Sequence, residues 1–502
     1  MPDPFYITTA ISYPNGRPHI GHAYEAIATD AIARYHRLCG RDVFFLTGTD
    51  EHGLKMAQAA RERGIPPAAF AEEMSATFKA MDDALNISYD RFIRTTEPDH
   101  HRASQAIWQA MADKGDIYLG RYEGWYSVRD EAYYGEEELV AAESGEKLSP
   151  QGTEVEWTVE ESWFVRLSAY QDRLLAHYAA HPGFIRPESR RNEVLRFVEG
   201  GLTDLSISRS SFDWGVRVPG SGDHVMYVWL DALTNYLTGV GYPDDTEAYG
   251  RYWPADLHII GKDVVRFHTI YWPAFLISAG LPLPKQVFGH GFLLHRGEKM
   301  SKSAGNVADP HDLIHAFGVD QLRYFLLREV SFGQDGGYTS EAIVTRTNAD
   351  LANNIGNLAQ RTLSMIARNC EGRVPEPGDG EAERFDDQIG AYRQAMERLE
   401  LHRALEIVLA MASQLNNHIA THQPWALKTS DPERMGAILY WAAEGLRQVA
   451  LLLQPFIPDS AGRLLDQLAV AADARDFSAL DRPLQAGTEL PPPAGIFPRL
   501  EG

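Results

Sequence analysis

Cysteine is nearly missing from this chain. Cys39 and Cys370 are the two present among 502 residues, too few for a disulfide framework or a thiolate metal cage, as expected in a reducing cytoplasm. No apolar run approaches bilayer-spanning length. The N-terminus has no basic stretch followed by an apolar one, so neither a membrane anchor nor an export signal is expected. Internal repeats and low-complexity tracts are lacking too. Basic residues are outnumbered: 47 Lys and Arg stand against 69 Asp and Glu, a formal net charge of −22. That balance argues against indiscriminate nucleic-acid binding, but leaves room for an RNA partner held at a few local positions. The rest is ordinary for a globular chain, 44% hydrophobic and 23% charged, with length for about three domains.

What is present is organised around Ala10-Ile11-Ser12-Tyr13-Pro14-Asn15-Gly16-Arg17-Pro18-His19-Ile20-Gly21-His22. Phe5 to Ile11 reads as a buried strand. Pro14, Asn15, Gly16 and Pro18 break the chain. Ala23, Ile27, Ala31, Ile32 and Tyr35 then recur at helical spacing, so a helix is expected from His19, with Pro18 near its first position. A strand, a tight turn and a helix N-terminus make a natural anion site, because unpaired amides point outward at the positive dipole end. His19 and His22 share the first turn, and Gly21 between them leaves space against the backbone. The competing reading is two surface histidines on an ordinary helix.

A second motif lies far downstream. Lys299-Met300-Ser301-Lys302-Ser303, flanked by Gly297 and Gly305, puts two lysines three apart on a short segment suited to neutralising a polyphosphate. On its own such a segment reads equally as solvated surface.

Between and beyond these motifs the chain divides at 1–115, 116–218, 219–347 and 348–502. Asp42 to Thr49 reads as a second strand, with Asp50 in the loop beyond its carboxyl end, where doubly wound sheets bind ligands. Asp50 also fits as the cap of a following helix. Residues 116–218 are aromatic and turn-rich, and read as a mixed insertion between two halves of one α/β fold. Trp125 to Trp157 contains neither Cys nor His, so no tetrahedral zinc site can form there. Arg209 fits a surface or an active-site arginine equally. Trp229, Ala232, Leu233 and Tyr236 recur at helical spacing and fit a core face as well as a binding wall. Leu257 to Ile260 is a strand leading into Gly261-Lys262-Asp263, with His268 on the next helix, and Val287 to Leu294 delivers the lysine segment. From about Asn348 the pattern is helical. Leu351, Ile355, Leu358 and Thr362 form a buried stripe, and Asn354, Asn357 and Arg361 lie on another face. A linker, Val374 to Gly380, precedes amphipathic segments around 403–419, 435–453 and 460–468. A proline-rich tail is expected to pack back on the body.

The two motifs, in this order and well separated, resemble the signature pair of the class I aminoacyl-tRNA synthetases. With Tyr227-Val228-Trp229-Leu230-Asp231-Ala232, the Gly261 to His268 segment, Asn357-Leu358-Ala359-Gln360-Arg361 and Pro424-Trp425, the whole chain resembles the methionyl branch, in its short form without a C-terminal dimerisation domain. The resemblance implies a Rossmann-type, doubly wound parallel catalytic domain with a mixed insertion, then an all-α anticodon-binding bundle. It implies activation of methionine by ATP with Mg²⁺, and transfer to the terminal adenosine of methionine tRNA, the initiator included, by a cytoplasmic monomer.

The same resemblance assigns residues. Asp50 would bind the α-ammonium, and Ala10, Ile11, Tyr13, Trp229, Ala232, Leu233, Tyr236, Val264 and His268 would line the side-chain pocket. A thioether offers almost no hydrogen-bonding handle, so shape and polarizable ring contacts must select it. His19 and His22 would contact the ATP phosphates, Gly21 the base, and Gly261 and Asp263 the ribose. Lys302, with Lys299 nearby, would stabilise the reacting phosphorus. Asn357, Arg361 and Trp425 would read the anticodon; without the resemblance, Trp425 reads as a helix-capping aromatic. Where many members carry cysteine ligands this chain has Ser127 and Asp130, so no structural zinc is expected and no metal ligand set is assigned. Two further readings are a synthetase for another apolar amino acid, for which the insertion is too short to be the large editing domain, and a non-catalytic tRNA-binding relative.

Overall fold

The computed structural model describes residues 2–501, apart from 131, 143–144, 245, 296–297, 300–307 and 379–384. Its centre is a six-stranded sheet built from β1 (Pro4–Thr8), β2 (Asp42–Thr49), β3 (Arg91–Arg94), β4 (Ile185–Arg186), β5 (Leu257–Gly261) and β6 (Val287–His290). The spatial order is β3-β2-β1-β5-β6-β4, and every pairing is parallel. These strands read as continuous apolar runs because helices cover both faces; Tyr6, Ile7, Phe45, Leu46, Ile259 and Ile260 are all buried. The order reverses between β1 and β5, which pair at Ile7 with Leu257 and Thr8 with His258.

Helix α1 (Ile20–Leu38) follows β1 and buries Ala23, Ile27, Ala31, Ile32 and Tyr35, as its spacing predicts. It starts later than expected. His19 keeps an extended backbone and serves as the cap, so Pro18 lies outside the helix. Two further helices matter for the site: α2 (Pro98–Asp113) and α3 (Val228–Thr238).

Within 116–218, strands Ile117–Ser127 and Glu156–Val165 pair antiparallel over their length and carry the short strand Ala132–Tyr134. This segment is not wholly separate from the main sheet, because it also supplies edge strand β4, which pairs with β6 at Ile185 and Arg186. Two residues are too few to leave a strand signature. Arg209 is neither at the surface nor at the cavity wall. It is 3% exposed, with its guanidinium carbon 4.3, 4.6 and 5.4 Å from the ring centroids of Tyr133, Tyr227 and Tyr126. It is a structural cation held by aromatic faces.

The C-terminal part is helical: α4 (Val319–Glu329), α5 (Asn357–Asn369), α6 (Asp386–Glu397), α7 (Leu401–His422), α8 (Pro432–Leu453) and α9 (Pro458–Gln467). Helix α6 is absent from the sequence expectation, its mostly polar sequence hiding the few buried positions, Tyr392, Ala395 and Met396. The tail packs back as expected: Phe497 is buried, and Leu500 exchanges hydrogen bonds of 2.8 and 2.9 Å with the Asn348 side chain. One apolar cluster runs from Ile27 and Phe45 through Leu322 and Leu351 to Leu405 and Leu446. Among the described residues no helix is long and apolar enough to cross a membrane.

Fully buried Arg323 of α4 fastens these parts together. It donates to Asp30 of α1 at 2.6 Å, to the Leu85 carbonyl at 3.1 Å, and to the carbonyls of Phe456 and Pro455 at 2.8 and 3.2 Å. Burial would raise the Asp30 carboxyl, but Arg323 and Arg34 outweigh it and hold it below its ordinary value. Removing one partner of a buried pair strands the other charge, at a cost of about 3–5 kcal/mol. Asp30→Asn is therefore expected to lower the midpoint of thermal or urea unfolding clearly; an unchanged midpoint would show that Arg323 is satisfied by its carbonyls alone.

Candidate active site

A cavity of about 510 Å³ opens at the carboxyl ends of β1 and β5, the topological switch point of the sheet. Ala10, Ile11 and Tyr13 line it from the end of β1, and His19, Gly21 and His22 from the start of α1. Asp50 lines it from the end of β2, Trp229, Ala232, Leu233 and Tyr236 from α3, and Gly261, Asp263, Val264 and His268 from the segment after β5. Residues more than 200 positions apart in sequence thus share one wall.

The imidazoles of the first turn do structural and chemical work together. The Gly21 amide donates to His19 Nδ1 and the His19 amide to His22 Nδ1, each at 3.1 Å. This reciprocal capping satisfies two of the amides a helix start leaves open. An accepting Nδ1 places the ring proton on Nε2, so each neutral ring is a donor there. The rings stack at 3.8 Å between centroids. A Cβ on Gly21 would come within 2.9 Å of His19 Cε1, so the capping ring itself requires glycine.

Asp50 does not cap a helix. The next helix starts at Leu54 behind Gly53, whose φ of 102° suits glycine. Asp50 is instead nearly buried in a loop tied down on all sides. Its amide donates to the Ser12 carbonyl at 2.9 Å, Tyr13 Oη donates to the His52 carbonyl at 2.8 Å, and Trp214 Nε1 donates to the Glu51 carbonyl at 2.6 Å. The Glu51 carboxylate takes Arg94 and Thr96.

The deeper part of the cavity is aromatic and neutral. His268 lies in a π-helical turn, Phe267–Tyr271, a distortion common at functional sites. Its Nδ1 faces the Val264 carbonyl at 2.9 Å, so the proton is on Nδ1, and Nε2 accepts from Tyr236 Oη at 2.6 Å. Burial pushes His268 down to about 4, even against the Val264 contact. Half-buried Trp229 stacks on Phe267 at 3.7 Å. These α3 residues belong both to the core and to the cavity wall, so the two readings of that helix coincide.

Lys302 lies outside the described residues. The backbone of Lys299 is described, in the short strand Glu298–Lys299, which pairs with Leu293–His295. On either side of the lysine segment, Leu293 lines the cavity, and the Ala308 carbonyl accepts from the Ile20 amide of α1 at 3.2 Å.

Glu25 and His290 are cavity residues that escaped the sequence reading. Glu25 accepts from the Ala10 amide at 3.0 Å through one oxygen and from His290 Nε2 at 2.8 Å through the other, while His290 Nδ1 donates to the Gly291 carbonyl at 2.8 Å. Oxygens face both nitrogens, an arrangement that favours the charged ring. Burial opposes that charge, but Glu25 outweighs it and raises the ring's pKa. The signal available was position, since His290 directly ends a strand pointing at the site.

In the insertion, Asp130 Oδ2 accepts from Ser149, Thr153 and Tyr134 at 2.6, 2.7 and 2.9 Å, and Ser127 meets Thr153 at 2.7 Å. Arg129, Asp130 and Gln151 reach the cavity wall. Among the described residues no group of three or more His, Cys, Asp or Glu is placed to hold a metal.

A separate cluster sits on the bundle, away from the cavity. The Arg361 guanidinium carbon lies 5.9 Å from the Trp425 ring centroid, and exposed Asn357 is one turn away on α5. Trp425 is 49% exposed, on the turn Pro424–Ala426 between α7 and α8, so it is no packed helix cap. Asn354 is used internally, donating to Ser413 Oγ at 3.1 Å.

Two family models match the chain: tRNA synthetases class I (M) over residues 5–363, and the anticodon binding domain of methionyl tRNA ligase over residues 372–502. The chain is 61% identical to the methionine–tRNA ligase of Brucella suis, over 99% of this chain and 98% of that one. It is 58% identical to that of Mycobacterium tuberculosis H37Rv, with the same two shares. The structure of Mycobacterium tuberculosis methionyl-tRNA synthetase in complex with methionyl-adenylate superposes with a TM-score of 0.96 at 58% identity, covering 99% of this chain and 100% of that one. The apo form gives 0.90 at 54% identity, covering 100% and 99%.

The His268 geometry carries a pH signature. The unfolded chain binds a proton near the ordinary value of about 6.5, while the folded ring waits until about 4. Stability from this residue is therefore complete above pH 6.5 and is lost as pH falls toward 4, by up to roughly 3 kcal/mol. Its ring resonances are expected to stay those of a neutral imidazole at pH 5.5; titration near 6.5 would refute the buried tautomer.

Proposed function

The chain belongs to the methionyl-tRNA ligases of the class I tRNA synthetases, and on that premise we propose how its residues divide the work. The enzyme activates L-methionine with ATP to methionyl-adenylate and passes the methionyl group to tRNA.

Asp50 holds the α-ammonium at the mouth of the amino-acid cavity. Trp229, Ala232, Leu233, Tyr236, Val264 and His268, with Ala10, Ile11 and Tyr13, enclose the side chain. The neutral state of His268 matters here, since an imidazolium would have to lose water to face a thioether. ATP enters as its magnesium complex. His19 and His22 donate through Nε2 to phosphate oxygens, Gly21 makes room for the base, and Gly261 and Asp263 hold the ribose. A methionine carboxylate oxygen attacks the α-phosphorus, the bond to the bridging oxygen breaks, and pyrophosphate leaves with its electron pair. The substrate carboxylate is the nucleophile, so no protein nucleophile or strong base is required. Catalysis is positioning and electrostatic stabilisation, with Lys302 and neighbouring Lys299 meeting charge that grows at the transition state. A ribose hydroxyl of the terminal adenosine of methionine tRNA, the initiator included, then attacks the methionyl carbonyl, the acyl–phosphate bond breaks, and AMP leaves. Asn357 and Arg361 present amide and guanidinium edges to an unstacked anticodon base, and Trp425 offers a stacking face. Action as a cytoplasmic monomer belongs to the same reading, and the two free thiols suit a reducing compartment.

The single observation carrying this reading is one cavity lined by the capped histidine turn at one end and the neutral Trp229–Tyr236–His268 floor at the other.

Amino-acid-dependent pyrophosphate exchange with all twenty amino acids tests it: methionine is expected to dominate, and faster exchange with leucine or valine would overturn the pocket assignment. Lys302→Ala is expected to slow exchange at least roughly a hundredfold while methionine KM moves less than about threefold. Equal effects on both would remove Lys302 from the transition state. Trp425→Ala is expected to lower tRNA charging about tenfold relative to exchange; loss of both in proportion would make Trp425 a folding residue only.

A further inference from the structure

Asp231 of α3 is a fully buried carboxylate that does not line the cavity and has no part in the chemistry above. One oxygen lies 2.7 Å from Nδ1 of His52, the other 2.7 Å from Nε2 of His100. Burial alone would raise its carboxyl, yet the two imidazoles outweigh burial and hold it well below the usual carboxylate range. A carboxylate only accepts, so each ring donates to it.

The three residues come from three elements. His52 belongs to the loop that carries Asp50, two residues along. His100 is on α2 and also contacts Thr238, near the end of α3, at 3.1 Å. Asp231 sits on α3 between Trp229 and Ala232. The helix thus turns one face to the amino-acid cavity and the adjoining face to these rings.

We propose that Asp231 is a positioning residue for the amino acid: through His52 and His100 it fixes the distance between the Asp50 loop and the pocket face of α3. This rests on the assignment of Asp50 to the α-ammonium and of α3 to the side chain. The two ends of bound methionine are then gripped by elements that meet in no covalent or sheet contact nearby, and Asp231 is the charged tie between them. His52 transmits position because it is clamped. Tyr13 holds its carbonyl at 2.8 Å, and the rings of His101 and Trp214 meet its ring edge-on, each at 5.3 Å. If α3 moves relative to this loop, ammonium site and thioether pocket lose register together. Helix α3 meets the segment after β5 at Phe267 and His268, on its methionine side, so the ATP end, built from α1, Gly261 and Asp263, should be spared.

Full-length Asp231→Asn, assayed by pyrophosphate exchange, tests this. The amide keeps the shape but can accept through only one oxygen, so one imidazole loses its partner. Methionine KM is expected to rise about tenfold while ATP KM stays within about twofold. His52→Ala is expected to reproduce that split, and His52→Gln, whose amide can still donate to Asp231, to restore methionine KM to within about threefold of the natural enzyme relative to His52→Ala. A folded Asp231→Asn protein with unchanged methionine KM overturns the proposal, as does an equal rise in both KM values. If Asp231→Asn does not fold, the His52 pair decides by the same criterion. Failure of the underlying assignment looks different, because Asp50→Asn would then leave methionine KM unchanged in the natural background.

Discussion

Everything at the site depends on the pairing of β1 with β5. Ile7 lies beside Leu257 and Thr8 beside His258, strand residues 250 apart in the chain. Parallel strands cannot be joined by a tight turn, so the intervening chain must cross over the sheet and return. The insertion and α3 are placed by that return. Because the strand order reverses here, the connections beyond β1 and β5 diverge to opposite faces and leave a crevice between them. The histidine turn, Asp50, the Gly261 segment and the flanks of the lysine stretch fall into it as a geometric consequence of sheet order, not of local sequence.

Within the crevice, charge is sorted by depth. The thioether end is lined by rings whose polar atoms satisfy one another, Tyr236 to His268 and His268 to the Val264 carbonyl, which keeps it neutral. The rest of the crevice carries polar groups that are paired or tethered: His290 with Glu25, and Asp50 in a loop fixed by Ser12, Tyr13 and Trp214. In a low-dielectric site such fixed partners cost little reorganisation when substrate charge arrives. The helix start adds to this: the amides of α1 are capped by ring nitrogens rather than a carboxylate, so the positive end of the helix is not cancelled by a protein anion.

The parts of this arrangement that could be read from sequence are those with a period or a sharp break. The buried strands, the apolar stripe of α1, the proline–glycine turn and the buried stripe of 351–362 all appear where spacing puts them, because burial on one side imposes that spacing. The α1 boundary moved by one residue because a capping side chain decides it, and histidine is not a usual cap. Strand β4 and helix α6 were illegible, the first for its length and the second because its buried residues are few. Arg209, His290 and Asp231 were illegible for a different reason. Their roles arise from partners 18 to 265 residues away, and no pattern in one chain announces a pairing of that kind.

The insertion shows how such pairings can replace a stronger linkage. Its tip holds no thiol, yet Ser127, Asp130, Ser149 and Thr153 are joined by contacts of 2.6 to 2.8 Å, with both serines fully buried. One carboxylate oxygen accepts three hydroxyls, and charged acceptors strengthen each such bond. The hydroxyls find further partners in the Gln151 and Asp130 amides, to Ser149 and Ser127 respectively. A fully connected polar cluster specifies one geometry, because any alternative leaves a buried polar atom without a partner. That matters here because the same loops bring Arg129, Asp130 and Gln151 to the cavity wall. The insertion therefore reaches the site on a frame of oxygen contacts, in a chain whose composition offers no cysteine there to build another kind.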